Sequence, residues 1–181
     1  NRTMHYDEII NQNQAWIDET WAKIEKKATK AAVKSRNKIP YTTDANGDHT
    51  DVSRNPHMWT NGFWGGLMWL MYAETGKDCY KQTAEISEKL LDQAFHYMED
   101  WNHDVGFMWH ILSGAHYKLP GDMDSRNRNL IAAMSLMSRY NVEGDYIRCW
   151  NSWITDEDVS GWTIKRASGL AEPVLEIPED E

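Results

Sequence analysis

The sequence predicts an all-α domain of layered or toroidal plan, and three observations predict it. Apolar side chains recur at helical spacing through most of the 181 residues. No segment sustains the alternation of apolar and polar residues expected of a half-buried strand. The helical stretches arrive as pairs, one very apolar and one amphipathic, with polar loops between them. That is how helices pack on helices around a shared core.

The first helix is expected over residues 7–30. There Ile9, Ile10, Trp16, Ile17, Trp21, Ile24 and Ala28 recur at helical spacing, while Lys23, Glu25, Lys26 and Lys27 lie mostly on other faces. Residues 35–58 read as a long loop, because Pro40, Asn46-Gly47 and Asn55-Pro56 interrupt any period. Loops of that length in compact domains are commonly functional. The next helix follows Thr60 or Asn61 as N-cap and stops at Gly76. Phe63, Trp64, Leu67, Met68, Trp69, Leu70, Met71 and Tyr72 make it apolar nearly all round, so it must be buried on several sides. Gly62, Gly65 and Gly66 leave room on it for another backbone or a ligand. Tyr80, Ala84, Leu91, Phe95 and Met98 mark an amphipathic partner over 77–99. A short helix is expected from Asp104 to about Tyr117, then a turn at Leu119-Pro120-Gly121-Asp122. The last helix, capped by Asp122 or Asp124, runs to Tyr140 with Leu130, Ala133, Met134 and Met137 as its inner stripe. From residue 165 the chain changes character, with two prolines, an acidic end and no helical stripe. Residues 1–164 are therefore read as the domain and 165–181 as a divergent, disordered tail.

Composition excludes several functions. Hydrophobic residues at 41% and charged residues at 26% belong to a soluble globular class. The net charge of −9 would repel phosphates, which argues against nucleic acid and anionic membrane as partners, although an anionic small molecule can still bind locally. No apolar run approaches the roughly 18 residues of a membrane span. Cys79 and Cys149 have neither metal-ligand spacing nor a disulfide-dense frame; they fit a reducing compartment such as the cytoplasm and are expected to be buried thiols. The seven histidines form no paired-ligand motif, so neither a metal nor a cofactor is expected. No nucleophile elbow or glycine-rich phosphate loop is present. Acid–base work by carboxylates remains.

Ten tryptophans are the unusual feature of the composition. Tryptophan offers a large flat face and one N–H donor, which suits cores, interfaces and platforms under sugar rings. Most are expected in the core and two or three in a site. Asp104 is the best candidate for chemistry. It stands beside His103 and before Val105-Gly106-Phe107-Met108-Trp109, where desolvation would raise a carboxyl pKa toward the range useful for proton transfer. The simpler alternative is that Asp104 only caps the helix after it. Taken singly, His103 reads as a packing histidine, and Trp59, Trp150 and Trp153 as core.

Four stretches in order, WTNGFWGG at 59–66, HDVGFMW at 103–109, YKLPGD at 117–122 and IRCWN at 147–151, together resemble the unsaturated glucuronyl hydrolases of glycoside hydrolase family 88. The resemblance implies a partial (α/α)6 barrel, about the first half of a six-hairpin toroid, around an aromatic, acid-bearing pocket. It implies as substrate an oligosaccharide ending in a 4,5-unsaturated uronic acid, left by a polysaccharide lyase. The family reaction hydrates that double bond: an aspartate protonates C4 and assists water onto C5, and the hemiketal opens and releases the sugar, without a metal. On this resemblance Asp104 matches one of two family aspartates, His103 its neighbour, and Trp59 and Trp150 aromatic residues of the pocket wall. The alternatives are a non-catalytic sugar-binding or inactive truncated half-barrel, a relative of the unsaturated rhamnogalacturonyl hydrolases, and a helical scaffold in which all these residues only pack. There is one departure. The second family aspartate follows a Gly-Trp-x-Ile stretch, and here Gly161-Trp162-Thr163-Ile164 is followed by Lys165-Arg166. Asp156, Glu157 and Asp158 lie near but do not match the motif. A barrel of half its hairpins would leave apolar faces open, so self-association through that edge is expected.

Overall fold

The computed structural model describes residues 6–149, together with the short strands 163–165 and 174–176. Helices α1 (Tyr6–Gln12) and α2 (Gln14–Lys34) run in one direction with a single break at Asn13, whose side-chain amide turns back to the Ile9 carbonyl at 2.8 Å. Only the second half of this expected amphipathic helix finds a partner. Trp21, Ala28 and Ala32 reach the core, whereas Ile9, Ile10, Ile24 and Trp16, the last 66% exposed, do not. Hydroxyls fasten α2: Thr29 Oγ1 meets the Tyr80 hydroxyl at 2.7 Å, and Thr83 Oγ1 donates to the Ala32 carbonyl at 3.1 Å.

The stretch expected to be a loop carries a hairpin instead. Strands β1 (Pro40–Thr43) and β2 (His49–Asp51) pair antiparallel, with an irregular register, across the Asp44–Asp48 turn. Asp44 Oδ1 accepts from the N–H groups of Asn46 and Asp48, both at 2.9 Å, and Gly47 takes the left-handed φ of 75° that its lack of a Cβ permits. Asn46-Gly47 is a strong short-range hairpin signal, but the flanking residues are too short and polar to show alternation.

Helix α3 (Asn61–Thr75) is the centre of the domain. It ends as expected at Gly76, in left-handed conformation at φ 67°, whose N–H returns to the Tyr72 carbonyl at 2.8 Å. Met68, Trp69 and Met71 are buried, and α3 packs along α4 (Asp78–Leu91) with Tyr80, Ala84 and Leu91 inside. Helix α4 stops short of the expected end. After Leu91 the chain tightens into 3-10 turns at Asp92–His96 and Met98–Asp100, which bring Phe95 and Trp101 onto Trp109 at ring separations of 4.8 and 4.9 Å. The Trp101 indole N–H donates to the Ala94 carbonyl at 3.0 Å across that turn. The helix expected from Asp104 to Tyr117 is likewise two pieces, α5 (Val105–Trp109) and α6 (Ser113–Lys118).

Helix α7 (Met123–Ser138) starts at Asp122, which accepts from the Ser125 N–H at 2.7 Å as an N-cap does. Its expected inner stripe is the wrong face. Ser125 and Ala132 are buried, with Leu136 packed on the core, while Leu130, Met134 and Met137 are exposed, Met137 by 69%. The buried face follows the helices present, α5 and α6, and they meet the small and polar side of α7. Two further hairpins depart from the all-helical expectation: β3 (Tyr140–Asn141) with β4 (Tyr146–Ile147), and β5 (Thr163–Lys165) with β6 (Val174–Glu176). The second straddles the domain boundary expected at residue 164.

Candidate functional site

Gly62 in the first turn of α3 sets up the site. A Cβ there would fall within 2.5 Å of the Phe107 carbonyl oxygen and closer still to that of Met108. The bare Cα therefore admits the backbone of α5 directly against α3, and Gly66 stands similarly against the Ile111 carbonyl at 3.0 Å. The start of α3 is held by Asn61, whose buried amide donates to the Asn55 carbonyl at 2.9 Å; Thr60 sits at the N-cap position without a side-chain cap bond. This close approach brings three aromatic rings together at the surface. Trp59 meets Phe63 edge-on at 5.8 Å and Phe107 at 6.2 Å, and Phe63 and Phe107 lie 6.0 Å apart. Trp59 is 44% exposed, so this tryptophan is not core. Phe63 also borders an open cleft of about 470 Å³ against the β1–β2 hairpin, lined among others by Tyr41, His49, Trp64 and Leu67.

Asp104 lies at the entry to α5 and is 7% exposed. Its carboxylate makes no cap bond to the helix, so the simple capping role is not what holds it there. Its backbone is fixed at both ends: its N–H donates to Asn102 Oδ1 at 2.8 Å, and its carbonyl accepts the Phe107 N–H at 2.9 Å. The second of these bonds ties Asp104 to the aromatic cluster through Phe107. The side chain nearest its carboxylate is His103, whose Nε2 lies 3.5 Å from Asp104 Oδ1. The other side of His103 is turned to the Cys149 carbonyl, which accepts from both the His103 N–H at 3.1 Å and Nδ1 at 3.0 Å. Cys149, expected to be buried, is exposed, and Cys79 is half-buried; what the site uses of Cys149 is its carbonyl. Trp150 lies outside the described residues.

A curated unsaturated chondroitin disaccharide hydrolase of Streptococcus pneumoniae is 34% identical over 114 residues, 62% of this chain and 29% of that protein. An unsaturated glucuronyl hydrolase of a Bacillus species is 29% identical over 114 residues, again 62% of this chain and 30% of that protein. The crystal structure of a Bacillus unsaturated glucuronyl hydrolase, responsible for the degradation of glycosaminoglycan, matches with a TM-score of 0.58 at 25% identity, over 74% of this chain and 37% of that one.

The chain is a homologue of the unsaturated glucuronyl hydrolases. No protein-family model matches it. It spans about a third of the length of the curated relatives it matches, and its helices correspond to part of the α/α barrel of those hydrolases.

Sequence reasoning missed two groups of residues in this glucuronyl hydrolase homologue. The first is Arg139, whose guanidinium donates from Nε to the Arg148 carbonyl at 2.8 Å, from one terminal nitrogen to the Trp101 carbonyl at 3.1 Å, and from the other to the Cys149 carbonyl at 2.7 Å. Burial, and then repulsion by Arg148, pulls this guanidinium below the usual arginine range. No local motif announces an arginine that serves distant carbonyls. The second is a buried knot joining α4, α6 and α7. Glu88 Oε2 accepts from Ser125 Oγ at 2.9 Å and meets His116 Nδ1 at 2.9 Å, and Ser125 Oγ lies 2.7 Å from the same His116 nitrogen. His116 stacks on Trp69 at 4.6 Å, and Arg128 forks onto Asp92 with both bonds at 2.7 Å. Burial pushes the Glu88 carboxyl up, but the bonds from His116 and its serine neighbours outweigh it and hold it below the usual glutamate range. Serine, histidine and glutamate here do not form a nucleophilic triad. A relay needs the two different ring nitrogens, and here both partners share Nδ1, with Ser125 fully buried. The knot is structural. Among the described residues no three His, Cys, Asp or Glu side chains come together as a metal site.

Proposed function

We propose that the chain forms the Asp104 side of an unsaturated uronate site, acting on oligosaccharides that end in a 4,5-unsaturated uronic acid. The observation that carries this reading is a nearly buried carboxylate, 7% exposed, with one imidazole nitrogen 3.5 Å away, tied through Phe107 to an exposed cluster of three aromatic rings. Aromatic faces take the apolar faces of sugar rings. The acid and imidazole supply proton transfer at the ring they hold. The reaction is hydration of a vinyl ether: a proton goes to C4, the ring oxygen stabilises the cation at C5, water adds there and loses a proton, and the hemiketal opens with release of the sugar. Asp104 and His103 serve the proton, and Trp59 with Phe63 and Phe107 serves the ring. The names of the relatives, chondroitin disaccharide and glucuronyl hydrolases, support the substrate class.

A second reading, sugar binding without turnover, is favoured by the sequence after Ile164, where Lys165-Arg166 stand in place of the second family aspartate. One experiment separates them. The purified chain is incubated with an unsaturated chondroitin disaccharide while the absorbance of the conjugated double bond is followed, and calorimetry measures binding. Loss of absorbance that disappears in Asp104→Asn supports the hydrolase. Binding that Asp104→Asn weakens, with no loss of absorbance, supports the sugar-binding reading. A folded chain that neither binds nor turns over the disaccharide refutes both.

A further inference from the structure

We propose that Arg139 is the positioning residue of this site: by holding the Cys149 carbonyl against His103, it fixes the imidazole with Nδ1 protonated and Nε2 turned to Asp104. The inference rests on the reading of Asp104 as the site acid, but its geometry stands by itself. A carbonyl oxygen can only accept, so the 3.0 Å contact from His103 Nδ1 to the Cys149 oxygen requires the hydrogen on Nδ1. Nε2 then carries either a lone pair or the second proton, and it lies 3.5 Å from Asp104 Oδ1. With Nδ1 committed to the carbonyl, Nε2 is the ring nitrogen left to face the Asp104 carboxylate.

That arrangement depends on where the Cys149 carbonyl sits, and residue 149 follows a two-residue strand with little holding power of its own. Arg139 supplies the restraint. Its fork bridges the Cys149 carbonyl at 2.7 Å and the Trp101 carbonyl at 3.1 Å, and Trp101 stands two residues before His103. One planar group thus ties the stretch carrying His103 and Asp104 to the stretch after β4. At its base the same side chain grips the Arg148 carbonyl at 2.8 Å, while the Arg148 N–H returns to the Arg139 carbonyl at 3.0 Å, so the hairpin and the fork are one unit. Lysine cannot reproduce this, because a single ammonium on a flexible stem lacks the fixed spacing of a guanidinium fork.

The test needs no substrate, so its outcome is independent of whether the chain hydrolyses anything. Long-range proton–nitrogen correlation spectra of the full chain, with His103 assigned by its loss in His103→Gln, report which ring nitrogen carries hydrogen. The wild-type spectrum is expected to show hydrogen on Nδ1. In Arg139→Met, and in Arg139→Lys should the first variant fail to fold, His103 is expected to revert toward the Nε2–H tautomer that free imidazole prefers, with the other folded-state resonances retained. A wild-type His103 without hydrogen on Nδ1 would overturn the proposal. So would an unchanged His103 signal in a folded Arg139 variant, which would leave Arg139 a hairpin clamp only.

Discussion

Gly62→Ala tests whether the contact between α3 and α5 builds the site. The added methyl would lie within 2.5 Å of the Phe107 carbonyl oxygen and nearer to that of Met108. An ordinary carbon–oxygen contact is about 3.3 Å, so the two backbones must part by roughly 0.8 Å or more. Neither neighbour can rotate away, because both are main-chain atoms. Overpacking of this kind costs about 1–3 kcal/mol, offset by the roughly 0.5–1 kcal/mol that alanine gains over glycine in a helix, leaving a net loss of about 0–2.5 kcal/mol, and the upper part of that range is expected because both obstacles are main-chain atoms. The same displacement carries Phe107 away from Trp59 and Phe63 and moves Asp104 with it, so disaccharide binding should weaken beyond what stability alone explains. Two glycines calibrate the result. At Gly65 the nearest obstacle is the flexible Leu112 side chain, and at Gly76 there is open space but a φ of 67°. Gly76→Ala should therefore cost about 1 kcal/mol through backbone conformation and leave binding unchanged. Urea unfolding gives the stabilities and calorimetry the affinities. A Gly62→Ala chain within about 0.5 kcal/mol of the wild type, the range of an indifferent surface change, with unchanged binding, would refute this account of how the site is assembled.

The remaining predictions address the knot, the cap and the open faces. Because the folded state holds the Glu88 carboxyl below its ordinary value, its contribution to stability is complete above the unfolded pKa of about 4.3 and is lost as pH falls through the lower folded value; acid unfolding followed by circular dichroism should show this, and Glu88→Gln should flatten the dependence in that window. Truncation of the N-cap in Asp122→Ala should cost about 0.5–2 kcal/mol in urea unfolding without altering disaccharide affinity. The exposed side chains Leu67, Leu70, Leu130, Met134 and Met137 are expected to drive self-association, so light scattering at micromolar concentration should find species larger than a monomer, and Met134→Lys with Met137→Lys should reduce them.

The reading of Asp104 shows how sequence and structure divide the work. A lone carboxylate before an aromatic run admits either a cap or a site acid, and composition cannot choose. The structure removes the cap, since the carboxylate makes no bond to the N–H groups of α5, and places an imidazole nitrogen 3.5 Å away. The hairpin at 40–51 shows the reverse, since Asn46-Gly47 was in view but the strands around it were too short for a period of two. Arg139 and the Glu88–His116–Ser125 knot carried no signal at all. Their partners are distant in sequence, and a buried polar network is visible only once its members share a volume.

What the sequence determined by itself was set by local chemistry: the helical periods, the Gly76 stop, the Asp122 cap, the glycines of α3 and the four ordered stretches that carry the resemblance to the unsaturated glucuronyl hydrolases. Each of these depends on residues within a turn or two of one another. The tertiary structure alone decided which face of each helix is buried. The apolar stripe of α7 and the first turns of α1–α2 face outward, while Ser125 and Ala132 turn inward, because burial follows the neighbours that are present rather than the stripe with the greatest hydrophobicity. It likewise decided that the Cys149 carbonyl, rather than its thiol, meets His103 and Arg139, because backbone groups carry no sequence signature until the fold brings a donor to them.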